Sequence, residues 1–156
     1  YASVMPTQRI AAETLVNAPI ESVFALVNDL RRFNEWNPFL KLDSATQWHL
    51  EGPRVGLGAS YVYESKKLGR GRMEITAVTQ PIRVEMLMTF FAPKESRSTA
   101  RFSFTPTPDG TLVRWSLDGE RSLGATMFAK LIGLDRMMAK SFASGLADLK
   151  SVLEAH

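Results

Sequence analysis

Three observations predict an α+β fold, in which a curved antiparallel seven-stranded sheet wraps around a long C-terminal helix, with two short helices after strand 1. Apolar residues recur at helical spacing soon after the start of the chain, alternate with period two through the middle, and return to helical spacing from about Thr126 to Ala155. A single sheet that buries one face needs a cover, and the closing helix is the only large apolar stripe that can supply it.

From Arg9 to Val16 the side chains alternate, with Ile10, Ala12, Thr14 and Val16 on one face and Arg9 and Glu13 on the other, which predicts a half-buried strand. Pro19 stands where a helix would begin, with Glu21 in its first turn, where a negative charge suits the helix dipole. Val23, Phe24, Val27 and Leu30 then form one apolar stripe. A second short helix is expected to carry Phe33 and Trp36 and to end by Asn37, because a residue before proline is pushed out of the helical region.

Between about Leu40 and Gly119 the spacing predicts strands at Ser60–Ser65, Arg72–Val78, Arg83–Phe91, Thr99–Thr105 and Leu112–Asp118, with a weaker one inside Leu40–Leu50. Turns are expected at Gly56-Leu57-Gly58, Gly69-Arg70-Gly71, Gln80-Pro81 and Pro106-Thr107-Pro108-Asp109-Gly110. Connections this short imply antiparallel neighbours. The alternation sets Val84, Met86, Met88 and Phe90 against Arg83, Glu85 and Thr89, and it sets Ala100, Phe102 and Phe104 against Arg101 and Ser103. Val113, Trp115 and Leu117 oppose Arg114, Ser116 and Asp118 in the same way. One face is therefore apolar and the other wet. In the closing helix Leu131, Leu134, Met138, Phe142, Leu146, Leu149 and Val152 make the stripe.

Composition narrows the classes of function. The 156 residues are 45% hydrophobic and 22% charged, which excludes a disordered or low-complexity chain. No run of 18 apolar residues occurs, so no helical membrane span is expected. The absence of cysteine excludes disulfides, thiol nucleophiles and Cys-ligated zinc. The net charge of +3 comes from scattered basic residues, densest in Lys66–Arg72, where the stretch reads as a solvated turn. No nucleic-acid partner is expected. The chain opens on Tyr1 and not on methionine, so membrane contact is expected only through a segment upstream of it, and the compartment stays open. The reading is one domain over residues 9–156 behind a short tail, 1–8.

In order and spacing, several short motifs resemble the START-like (SRPBCC) superfamily with its helix-grip (START/Bet v 1-like) fold, and in detail its polyketide cyclase/dehydrase-like branch. They are Ala18-Pro19-Ile20-Glu21-Ser22-Val23-Phe24, then Val27, Asp29-Leu30 and Trp36-Asn37-Pro38. Gly56-Leu57-Gly58 and Gly71-Arg72-Met73-Glu74-Ile75 follow. Asp109-Gly110-Thr111 with Val113 and Trp115, and Gly145-Leu146-Ala147-Asp148-Leu149-Lys150, complete the set. The resemblance runs from about Arg9 to Glu154. Because these motifs mark turns and packing, they speak to fold more than to chemistry. The resemblance implies a deep apolar cavity between sheet and helix, used across the superfamily for lipids, sterols, polyketides and other hydrophobic ligands.

On that reading the cavity lining is Trp36, Met73, Ile75, Met86, Met88, Phe90, Phe102, Phe104 and Trp115, faced by Met127, Leu131, Leu134, Met138 and Phe142. Methionine suits a surface that must fit varied apolar shapes. Taken singly, each of these residues is better read as core filling. Trp36 and Trp48 are expected near the mouth. The weak candidates for proton transfer are Glu64, Tyr63 and His49. Glu85 falls on the wet face by parity, whereas Glu64 faces inward only if Val62 does, with Tyr61 and Tyr63 on the opposite side. A lone histidine without further ligands makes no metal site, and no cofactor is expected. No nucleophile elbow or dinucleotide fingerprint is present. Binding, sequestration or transport of a small hydrophobic ligand is therefore the expected function. The alternative is a cyclase/dehydrase-type enzyme acting in the same cavity.

Overall fold

The computed structural model describes residues 7–92, 95–120 and 134–155. Strand β1 (Thr7–Val16) is followed by α1 (Ile20–Val27), a 3₁₀ turn (Leu30–Glu35) and a single helical turn, α2 (Phe39–Leu42). Six strands come next: β2 (Gln47–Glu51), β3 (Ser60–Ser65), β4 (Gly69–Thr79), β5 (Arg83–Ala92), β6 (Ser96–Thr107) and β7 (Gly110–Glu120). Helix α3 (Leu134–Glu154) closes the described chain. The residues assigned to its first turns by spacing, 126–133, lie outside the described ones.

All seven strands form one antiparallel sheet in the order β1-β7-β6-β5-β4-β3-β2. From β2 to β7 each strand pairs with its sequence neighbour, and β1 then returns to pair with β7 along its whole length. The register aligns Ala12, Trp115, Phe102 and Val84 in one row across four strands. It aligns Tyr61, Met73 and Met88 in another. Register shifts at Arg70/Gly71 and Ile75/Ala77 interrupt β4, as bulges do where a sheet bends. This is the helix-grip (START/Bet v 1-like) arrangement expected, a curved sheet with a helix on its inner face.

Two local expectations are corrected. Gly69-Arg70-Gly71 opens β4, and the turn falls at residues 66–68. Gly71 stays in the ladder because its missing side chain leaves room for the Tyr63 ring. Of the Leu40–Leu50 stretch only the end is strand, within Gln47–Glu51, and its start is helical, within Phe39–Leu42. The Asn37 Oδ1 atom accepts the Phe39 N–H at 2.9 Å and starts that turn. Phe33 lies in the 3₁₀ turn, begun by Asp29, whose carboxylate accepts the Arg31 N–H at 3.1 Å. Trp36 follows just beyond it.

Helix α3 buries Phe142, Leu146 and Leu149 at spacings of four and three and exposes Ala139, Lys140, Ala143 and Ala147. It lies on β1, β7 and the 3₁₀ turn. Gly145 permits the close approach, since a β-carbon there would stand 3.0 Å from both Trp115 Cζ3 and Pro38 Cδ. At its far end Lys150 Nζ donates to the Leu15 carbonyl at 2.7 Å and to Glu154 Oε2 at 2.6 Å. The Asn17 N–H donates to that same carboxylate oxygen at 2.7 Å. These bonds pin the helix to the β1–α1 junction.

Candidate functional site on the inner face of the sheet

The inner face has two ends of different character. At the β6–β7 end, aromatic rings pack directly against the helix. Trp115 stacks on Phe142 with centroids 3.9 Å apart and on Phe102 at 4.9 Å. Trp36 meets Phe102 and Trp115 edge to face at 5.6 and 5.5 Å, and Phe33 meets Trp36 in the same manner at 4.9 Å. Each such pair contributes roughly 0.5–1.5 kcal/mol beyond its buried area. Trp36 is 1% and Trp115 3% exposed, yet neither indole N–H has a hydrogen-bond acceptor among the described residues. Trp36, expected near the mouth but more as a packing anchor than as a ligand contact, sits in the middle of this cluster.

At the β3–β5 end the face is half-open. Met88 and Phe90 on β5, Tyr63 on β3 and Met138 on α3 are only partly buried. The register puts Trp48, Tyr63, Gly71 and Phe90 in one row. The Tyr63 ring lies over Gly71, where a β-carbon would collide with its hydroxyl and stand 2.7 Å from Cζ. Burial, with a smaller contribution from Tyr61, pushes the Tyr63 phenol up to about 12. It is therefore protonated at neutral pH, a hydrogen-bond donor and not a base, and no partner for it occurs among the described residues. Burial also raises Tyr61, whose hydroxyl donates to Asn34 Oδ1 at 2.8 Å. Among the described strand residues no inward position carries a charge: β4 to β7 contribute Met73, Ile75, Met86, Ala100, Phe104 and Leu117 beside those already named.

The parity left open on β3 resolves with Tyr61 and Tyr63 inward and Glu64 on the outer, exposed side. His49 is exposed beside it, with Nε2 2.8 Å from Glu51 Oε2, and Glu51 in turn takes Arg72 Nη1 at 2.6 Å. Glu85 is on the outer face next to Arg101, at 3.5 Å. The three proton-transfer candidates nonetheless border one depression at the sheet edge. Its volume is about 250 Å³, and Gln47, Trp48, His49, Val62, Tyr63, Glu64 and Arg70 line it. Typical ligand sites hold roughly 300–1,000 Å³. Trp48 is exposed there and stacks on Tyr61 with centroids 5.5 Å apart.

Of the proposed lining, Trp36, Met73, Ile75, Met86, Phe102, Phe104, Trp115 and Phe142 are buried on this face. Met127, Leu131 and the side chain of Leu134 lie outside the described residues. The two orphaned indole donors were not foreseen, because no sequence pattern reports whether a buried N–H finds an acceptor. Among the described residues no cluster of His, Asp or Glu has the makings of a metal site. Nor is any described helix long and apolar enough to cross a membrane.

Fold and inner face together define a helix-grip protein. A family model described as "Polyketide cyclase / dehydrase and lipid transport" matches residues 7–154, and the chain belongs to that family. No functionally curated sequence matches it. Solved structures similar to it include norcoclaurine synthase from Thalictrum flavum, in complex with dopamine and hydroxybenzaldehyde. That match has a TM-score of 0.73 and 11% identity, over 97% of this chain and 89% of that one. Protein Ms6760 from Mycobacterium smegmatis matches with TM-score 0.64 and 22% identity, over 96% and 91% of the two chains. Protein MLL2253 from Mesorhizobium loti matches with TM-score 0.65 and 17% identity, over 95% and 98%. Identities this low bear on fold alone.

Proposed function

We infer that the protein binds a small, neutral, hydrophobic molecule in a cavity between the β3–β5 inner face and the C-terminal helix, and so sequesters or carries it. The observation that carries this reading is the half-open, uncharged end of the face, where Tyr63, Met88, Phe90 and Met138 stay partly exposed beside the buried aromatic cluster. A charged guest would lose its hydration with no counter-charge from the described strands, so a neutral one is favoured. Two methionines at that end suit an adaptable surface. The family's scope, which includes lipid transport, supports the same reading. The similar norcoclaurine synthase structure, which holds dopamine and hydroxybenzaldehyde, supports a small ring-bearing guest in this fold.

Titration with the neutral fluorophore N-phenyl-1-naphthylamine tests it. Saturable binding with blue-shifted emission is expected, whereas no binding up to the probe's solubility limit contradicts the reading. Native mass spectrometry of the purified protein adds a check for a co-purifying guest.

A cyclase/dehydrase-type enzyme is the second reading. In its favour, His49, Tyr63 and Glu64 border one depression. Against it, His49 and Glu64 are exposed, and at neutral pH the Tyr63 phenol can donate a proton but not take one. Loss of turnover of a hydrophobic poly-ketone substrate in both His49→Ala and Glu64→Gln would favour this reading over simple binding.

A further inference from the structure

We propose that the guest carries a hydrogen-bond acceptor oxygen without a proton, such as a ketone, ester or ether, and that this oxygen reaches from the half-open end past Tyr61 and Phe33 into the adjoining aromatic cluster, where it accepts from the orphaned indole N–H of Trp36, Trp115 or both. The inference rests on the binding reading above and narrows it to a class of ligand.

The argument starts from an anomaly in packing. Most buried side-chain polar atoms in folded proteins have a hydrogen-bond partner, and an orphan asks for an explanation. Here two orphans occur in adjoining rings, Trp36 and Trp115, whose centroids are 5.5 Å apart. Indole nitrogen is a donor only, so nothing but an acceptor can satisfy it. The described rings around the pair, Phe33, Phe102 and Phe142, have none. A ring face can receive an N–H, but such contacts are weak and do not replace a conventional hydrogen bond.

A trapped water fits poorly. Water needs two to four polar partners, and one held by indoles alone would leave its own two protons buried among aromatic rings. A carbonyl or ether oxygen has lone pairs to accept with and no proton to place. The half-open end adds one more polar group, the Tyr63 hydroxyl, which is protonated and has no partner among the described residues. Among the described residues the two indoles and the Tyr63 hydroxyl can all offer a proton, so the complementary guest is apolar with acceptor oxygens; the one other buried polar atom without a partner, Asn28 Oδ1, stands at the end of α1 beside Gly56.

The test compares a matched pair of probes, 2-acetylnaphthalene and 2-ethylnaphthalene, which have similar shape but only one of which has a carbonyl. The chain has three tryptophans, so protein labelled with ¹⁵N-indole tryptophan gives three Nε1–H peaks, and exposed Trp48 is an internal control. Trp36→Phe and Trp115→Phe assign the other two. The expected result is that the ketone, and not the hydrocarbon, moves the Trp36 or Trp115 peak downfield, and that it binds about fivefold tighter, the worth of one modest hydrogen bond. The double Phe variant is expected to bring that ratio close to one. Equal affinities with both buried peaks unmoved, or resting peaks shifted upfield by an aromatic face and insensitive to the ketone, overturn the inference while leaving the binding reading intact. Binding of neither probe overturns both. The peak shifts are read on the unmodified protein and hold even if the double variant does not fold.

Discussion

Tyr63 shows how one residue's role depends on its neighbours. Its ring can lie flat only because position 71 is glycine, so Gly71→Ala should displace it. We expect that variant to weaken N-phenyl-1-naphthylamine binding and to lower stability by about 1–3 kcal/mol, the usual range for overpacking, measured by urea unfolding. Gly145→Ala makes a similar case inside a helix. Alanine gains about 1 kcal/mol in helix propensity. The added carbon meets Pro38 and Trp115 at 3.0 Å, however, and Trp115 is clamped between Phe102 and Phe142 and cannot retreat. The expected balance is a net loss of stability. The orientation of Glu64 was not legible at this scale, because Tyr61 and Tyr63 compete with Val62 for the buried side and both parities look half apolar. Tyr61 wins the core by packing edge to face on Phe33 at 5.0 Å.

At the scale of elements, β1 and β5 to β7 were legible in the sequence because each buries one face and wets the other, so period two survives intact. The start of β4 was not. Glycines at 69 and 71 contribute no side chain to the alternation and read as a turn, although Gly71 is a buried strand residue. Helix α2 escaped for another reason. Four residues are too few to show a helical period, and Leu40 and Leu42 imitate a strand. For α3, the apolar stripe predicts burial of Phe142, and Phe142→Ala should cost about 3–5 kcal/mol by removing the ring stacked on Trp115.

The attachment of α3 also predicts a pH dependence. The Asn17 N–H first, and Lys150 next, hold the Glu154 carboxyl below its ordinary value of 4.5. The Ser65 hydroxyl, 2.6 Å away, does the same for buried Asp43. Groups with lowered folded values contribute stability that is complete above their unfolded pKa and is lost as pH falls through the folded one. The melting temperature should therefore hold from neutrality to about pH 5 and fall below it, as measured by circular dichroism. In Glu154→Gln the fall should be shallower.

For the whole molecule, what matters is the division of the inner face. The described part of the helix covers the β1–β7 side, where Trp115, Phe142, Leu146 and Leu149 are buried, while the face of β3 to β5 stays half-open. The architecture was legible because helical and strand periods occupy separate stretches of the chain. What fills the open end was not, since periodicity reports which face is buried and not what buries it. The same limit applies to Trp36, which reads from sequence more as a packing anchor than as a ligand contact, without showing which rings it would pack on. The account's central claim is that a neutral apolar guest occupies the open end. Methyl-¹³C methionine spectra, recorded while N-phenyl-1-naphthylamine is added, test it most directly. The account predicts saturable shifts of the Met73, Met88 and Met138 methyl signals at one common affinity; saturation of the probe with those three signals unmoved would contradict it.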